Sequence, residues 1–380
     1  MQFGTASSGR SAAGNTWFAK VWICILFAFV GATMAASAAT AQEYPGREWA
    51  KVEKPSDAGW DAAELAKLHD YIVKSTHITG FVVVYRGRIV FQYGDTAENS
   101  YIASCRKSVL AMLYGKYVNS GKIRLNKTLA EMGMDDVGGL LPVEKTATIA
   151  DVLSVRSGVF HPASNPGDYL EYAPARGSVK PGAYWLYSNW DFNAAGYIFA
   201  HETGRNIYDD VQIQLAVPLQ LQDWRRDLQS EDENPAVSRY GAYAMWFSTR
   251  DMARLGLLML NRGKWRGKQV VDPSWIDTML RSRTSCAEVN AHIPAYRNAP
   301  FCLGYGYMWW LWEKAPDQRL KGGFSALGSL GQSITVFPAI DTVIAYKTKD
   351  AYERETPFEA RYRVLMMAAG AFKGKDEAMS

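Results

Sequence analysis

Ser104-Cys105-Arg106-Lys107 is the one S-x-x-K in the chain. Three positions apart on a helix, a hydroxyl and an ammonium share a face and come within reach of each other. A serine hydroxyl is a weak nucleophile until a neighbouring base takes its proton. Lysine can be that base where its charged form is disfavoured. At a helix N-terminus the free N–H groups and the positive dipole end also lie where an oxyanion would form. One such match in 380 residues is near chance, so the chemistry needs a second element.

Y-x-N occurs three times. Tyr117-Val118-Asn119 falls late in the helix that Ser104 would open, too far along its axis to meet the serine. Tyr296-Arg297-Asn298 sits in a loop before Cys302. Tyr187-Ser188-Asn189 follows a Pro181-Gly182 turn and precedes an expected helix, Trp190 to Glu202, stopped by Gly204. Its position is therefore fixed from both sides. A phenol between a serine and a lysine can relay the proton, and Asn189 can hydrogen-bond Lys107 or a substrate carbonyl. Seven aromatic residues lie between Tyr169 and Phe192. Most are expected to pack the core, with one or two lining an apolar pocket.

The elements that must position these residues follow from periodicity. Residues 61–74 have helical apolar spacing at Leu65, Leu68, Tyr71 and Ile72. Gly80–Tyr85, the Arg86-Gly87 turn and Ile89–Tyr93 read as a hairpin, and 104–120 as a helix ended by Gly121. From about 122 to 240 the text is helical and loop-like. Strands are expected at 306–312, 332–337 and 342–346, then a helix from about 358 to 372. Consecutive strand residues alternate faces, so Trp309 and Trp310 cannot both face one cleft. The expected fold class is α/β (α+β): an antiparallel sheet flanked by helices (42–121 and 240–380) with an inserted all-α domain (122–239).

Residues 1–41 read as a secretory signal peptide. The charges there are Arg10 and Lys20, an apolar run spans Val21 to Ala32, and Ala39-Thr40-Ala41 precedes Gln42. The run is nearer 12 residues than the roughly 20 needed to span a bilayer, which favours cleavage over anchoring. A periplasmic or secreted protein, with no membrane association after cleavage, is the expectation. The net charge of +4 offers no surface for non-specific nucleic-acid binding. Three cysteines then remain, Cys105, Cys286 and Cys302. The last two flank a loop-like segment and could pair, whereas Cys105 suits a buried small side chain. The histidines are scattered and no C-x-x-C occurs, so no metal site is expected.

Taken in order, Ser104-x-x-Lys107, Val152-Leu-Ser-Val-Arg-Ser157-Gly158, Pro181-Gly-Ala-Tyr-Trp-Leu-Tyr187-Ser-Asn189 and Gly241 to Gly256 resemble the serine β-lactamase and penicillin-binding-protein superfamily. The likeness covers about residues 62–370. It is strongest to class C β-lactamases, family VIII esterases and 6-aminohexanoate-dimer hydrolases, and it implies a β-lactamase/transpeptidase-like fold. Relatives carry Lys-Thr-Gly on the strand lining the cleft. Here the matching stretch is Ala326-Leu327-Gly328, followed by Ser329, so the carboxylate-binding cation is missing from that position. Lys321 is the nearest substitute. By resemblance the backbone N–H groups of Ser104 and Ser329 form the oxyanion hole.

The implied activity is hydrolysis of a small-molecule ester or linear amide through an acyl-Ser104 intermediate, without metal or cofactor. Lys107 and Tyr187 together take the proton, and which of them is the immediate base stays open. The alternatives are a β-lactamase or D,D-peptidase, and a non-catalytic penicillin-binding-like sensor. Oligomeric state is not readable.

Overall fold

A computed structural model describes residues 42–297, 301–315, 317–349 and 354–374. The expected signal segment lies outside them. Helix α1 (Ala62–Ser75) starts where Asp61 Oδ1 accepts from the N–H groups of Ala63 and Glu64, at 2.8 and 3.1 Å. It buries Leu65, Leu68 and Ile72, the expected face. Strands β1 (Gly80–Tyr85) and β2 (Arg88–Gly94) form the expected hairpin. Arg86 and Gly87 take φ of 48° and 83° in its tight turn. Helix α2 (Cys105–Asn119) and helix α3 (Asn189–Thr203, closed by Gly204 at φ 67°) lie within a residue or two of expectation.

Helix α4 (Thr249–Leu260) is capped by Ser248, whose hydroxyl accepts from Asp251 N. A short helix α5 (Cys286–His292) leads into strands β3 (Cys302–Tyr305), β4 (Trp310–Lys314), β5 (Phe324–Gly328), β6 (Gln332–Phe337) and β7 (Thr342–Lys347). Helix α6 (Phe358–Gly370) follows. The seven strands make one antiparallel sheet in the order β2-β1-β7-β6-β5-β4-β3. Every residue of β1, β6 and β7 is buried, including the polar Gln332, Ser333, Thr335, Thr342 and Lys347. Helix α4 packs on β1, β6 and β7, and α6 is tied to the sheet by Tyr346 Oη donating to Arg361 O at 2.7 Å.

Residues 306–312 are not one strand. They split into a turn and the start of β4, with Met308 at φ 58°. The aromatic run has high β-propensity, but Gly306 lets the chain press against Met279, the last residue of a short helix, Pro273–Met279. A Cβ on Gly306 would stand 2.1 Å from Met279 O, and Tyr307 N donates to that same carbonyl at 2.9 Å. Trp309 and Trp310 still part company: Trp309 packs edge-on against Phe324 in the core, while Trp310 faces a cavity. Cys286 and Cys302 form a disulfide, with Cα atoms 5.3 Å apart, and Cys105 is buried and free. Among the described residues no helix is long and apolar enough to cross a membrane.

The region between α2 and α4 is pinned by one buried carboxylate, Asp136. It accepts from Trp190 Nε1, Ser238 Oγ, Val137 N and Arg239 N, each at 2.7 Å. These four donors satisfy the buried carboxyl group and tie Trp190, near the start of α3, to the loops around it.

Candidate active site

Ser104 is the first residue before α2, reached through Ala103, whose φ of 47° is uncommon for a side-chain-bearing residue. This sharp entry lifts the hydroxyl out at the helix N-terminus. The next eleven residues of α2, Cys105 to Gly115, are all buried, so it is a helix apolar on every side with the polar start of the motif built into the core. Gly328, at the end of β5, lies directly against this entry. A Cβ there would stand 2.8 Å from Ile102 O and 3.1 Å from Ala103 Cβ. Glycine lets this strand end approach the entry to α2, and Ser104 and Ser329 both line the same cavity. Among the described residues neither backbone N–H donates to a protein acceptor.

Lys107 is fully buried. Its Nζ donates to Tyr187 Oη and to Asn189 Oδ1, both at 2.9 Å, and lies over the Tyr187 and Phe192 rings. Burial, reinforced by the neighbouring Arg106 charge, holds the amine well below the usual lysine range, against a weaker opposing pull from Asp168. Burial drives the Tyr187 phenol upward, against a hydrogen bond with Ser104 that lowers it. Tyr187 thus touches both Ser104 and Lys107. Asn189 Nδ2 donates to Pro166 O at 2.8 Å, which turns Oδ1 toward Lys107, and Asn189 N donates to Asp168 Oδ2 at 3.1 Å.

These groups stand at one end of a cavity of about 350 Å³. Its wall includes Ser104, Asp168, Tyr169, Tyr187, Leu327, Gly328 and Ser329. Tyr296, Trp310, Tyr346, Phe358 and Tyr362 add an aromatic side, with Gln332, Glu355 and Arg361 among them. Tyr187, Trp310 and Tyr296 form a stacked row with centroids 5.6 and 5.2 Å apart. Among the described residues no cluster of three or more His, Cys, Asp or Glu side chains could hold a metal ion.

The structure therefore brings together Ser104, Lys107, Tyr187, Asn189, Gly328 and Ser329. Ala326 is fully enclosed and stays out of the cavity wall, its carbonyl accepting from Cys105 Sγ at 3.4 Å. Lys321 is exposed and outside the wall. The cation in the wall is Arg361 of α6, paired with Glu355 and donating from Nε to Thr356 O at 2.8 Å. Its distance in sequence from every motif hid it. Of the seven aromatics between Tyr169 and Phe192, Tyr169 and Tyr187 reach the cavity, while Trp185, Trp190 and Phe192 are core. Tyr296, dismissed with its Y-x-N, lines the cavity after all.

The Beta-lactamase family model matches residues 66–367. No curated protein matches the sequence. Among solved structures, the chain is similar to a candidate 6-aminohexanoate-dimer hydrolase from Bacillus anthracis, at 19% identity and TM-score 0.59, covering 86% of this chain and 87% of that one. EstCE1, a hydrolase with promiscuous acyltransferase activity, aligns at 15% identity and TM-score 0.58 over 84% of this chain and all but 1% of its own, 99% being covered. A penicillin-binding protein homologue from Caulobacter crescentus aligns at 15% identity and TM-score 0.59, covering 85% and 98%. At these identities the likeness shows a shared β-lactamase/transpeptidase-like fold.

Proposed function

The chain belongs to the Beta-lactamase family, and on that premise we propose that it is a serine hydrolase of small esters or linear amides acting through an acyl-Ser104 intermediate. The observation that carries this is the contact of Tyr187 with both Ser104 and a buried Lys107 whose charged form is disfavoured. Ser104 Oγ attacks the acyl carbonyl as its proton passes through Tyr187 toward Lys107. The N–H groups of Ser104 and Ser329 hold the oxyanion, aided by the dipole of α2. Tyr187 returns the proton to the leaving group, and water then releases the acyl chain by the same route. The cleavable leader read in residues 1–41, together with the Cys286–Cys302 disulfide, supports a periplasmic or secreted location. The partner is a small-molecule substrate.

The preference for neutral substrates rests on Arg361 being already engaged by Glu355 and Thr356 O. That a cation stands in the wall at all favours the second reading, a β-lactamase or D,D-peptidase that recognises a carboxylate. Labelling with a fluorophosphonate and locating the adduct by mass spectrometry tests the nucleophile: the adduct should sit on Ser104 and vanish in Ser104→Ala. An adduct on Ser157 or Ser188 overturns the assignment. A panel of nitrophenyl esters, linear amides, D-Ala-D-Ala peptides and a chromogenic cephalosporin separates the readings. Cephalosporin turnover matching the best ester selects the second.

A further inference from the structure

Arg106, the third residue of the S-x-x-K motif, has no part in the chemistry above, yet it is 1% exposed and next to Lys107. A guanidinium keeps its charge at any working pH, and burying one without a carboxylate is costly. The described contacts of Arg106 are neutral. Nη2 donates to Asn193 Oδ1 at 3.4 Å, and the guanidinium lies over the Tyr243 ring, 4.4 Å from its centroid. Among the described residues Nε and Nη1 find no close hydrogen-bond acceptor, the phenol of Tyr243 being the polar group beside the guanidinium. Asn193 sits one turn beyond Asn189 on α3, so this helix offers an amide to each of two successive cations, Asn189 to Lys107 and Asn193 to Arg106. Asn193 is itself oriented by Nδ2 donating to Asn165 Oδ1 at 2.9 Å and Tyr240 O at 3.3 Å. Where a salt bridge would be expected, no carboxylate among the described residues pairs with this positive charge.

We infer that Arg106 is a positioning residue whose charge, held beside Lys107 by Asn193 and Tyr243, adds to burial in disfavouring a second positive charge on Lys107. The inference rests on the acyl-Ser104 reading for its purpose but not for its measurement. The charged and titratable groups around Lys107 are Arg106 and the Cys105 thiol on α2, the Tyr187 phenol at the start of α3, and Asp168 in the preceding loop. Asp168 is the carboxylate among them and acts in the opposite sense. Around Arg106 stand the phenols of Tyr187, Tyr208 and Tyr243, each raised by burial with the Arg106 charge a smaller opposing pull.

The test compares wild type with Arg106→Met, which keeps the stem and removes the charge, and Arg106→Lys, which keeps a charge. Lys107 is followed directly by NMR in protein labelled at lysine Cε, its resonance assigned by its loss in Lys107→Met. Arg106→Met should raise the Lys107 midpoint by roughly one to two pH units, the scale on which a close charge acts. The acid limb of fluorophosphonate labelling should rise with it, so labelling one unit below the wild-type limb falls about tenfold. Arg106→Lys should leave both near wild type. A folded Arg106→Met with an unmoved Lys107 midpoint overturns the inference. Should that variant not fold, Asn193→Asp sets a carboxylate on the guanidinium and should raise the midpoint; an unmoved midpoint there overturns it equally. A midpoint that moves while Ser104 takes no label would sink the hydrolase reading and leave the charge effect standing.

Discussion

Gly328→Ala perturbs the contact on which the oxyanion site depends. The added Cβ would stand 2.8 Å from Ile102 O, 3.0 Å from Gln332 Cβ and 3.1 Å from Ala103 Cβ. Carbon atoms pack at about 3.5–4.0 Å, so β5 and the chain entering α2 must separate by roughly half an ångström. None of the three atoms is the far end of a flexible side chain, and Gly328 is outside the left-handed region, so the cost is steric. Overpacking of this kind costs about 1–3 kcal/mol. The urea midpoint should fall accordingly with an unchanged m-value. The same displacement draws Ser329 N away from Ser104 N. Complete loss of one oxyanion donor costs on the order of 10²–10³ in kcat. A half-ångström misplacement should therefore slow acylation by about ten- to a hundredfold. Stopped-flow acylation by p-nitrophenyl acetate reads this directly. A folded Gly328→Ala protein that acylates at the wild-type rate would refute the oxyanion role of this strand end.

Lys107→Ala and Tyr187→Phe should each lower kcat by several orders of magnitude, and the double variant by little more, because groups moving one proton act as a unit. Additive losses in steady-state kinetics would assign them to separate steps. Replacing both Cys286 and Cys302 by serine opens a loop of 16-residue separation. That should cost about 3 kcal/mol in urea unfolding. It should also raise KM, since Tyr296 in that loop lines the cavity. An unchanged KM would mean that α5 alone holds the loop in place.

The candidate site was legible because each part is local. Ser104 and Lys107 lie one turn apart on a helix, and Tyr187 and Asn189 stand at the start of another, bounded by Pro181-Gly182 and Gly204. Caps and apolar spacing placed α1, α2, α3 and α6 within a residue or two. The failures share a cause: they depend on what meets what across the fold. The run at 306–312 has strand propensity, but the approach of Met279 O at Gly306 turns it. The aromatic wall comes from Tyr296, Trp310, Tyr346, Phe358 and Tyr362, on separate elements far from the motifs, whereas most aromatics beside Tyr187 in sequence serve the core. Arg361 and Arg106 escaped notice because a cation's meaning depends on whether a carboxylate faces it.

The same burial acts on the two proposed proton carriers in opposite directions, and this bears on which is the base. Removing water disfavours charge, so it drives the Lys107 amine toward its neutral form and the Tyr187 phenol toward its protonated form. Both shifts favour the neutral form, and of the two neutral forms only the amine has room for a proton. A protonated phenol accepts the serine proton only by giving up its own, and the acceptor in contact is Lys107 Nζ, 2.9 Å away. Within the proposed mechanism Tyr187 is therefore the conduit and Lys107 the resting place. The ammonium formed there is received by Asn189 Oδ1 and the faces of Tyr187 and Phe192. Arg106 opposes that charge. The proton is thus held loosely enough to be returned to the leaving group, which a lysine locked to a carboxylate would resist.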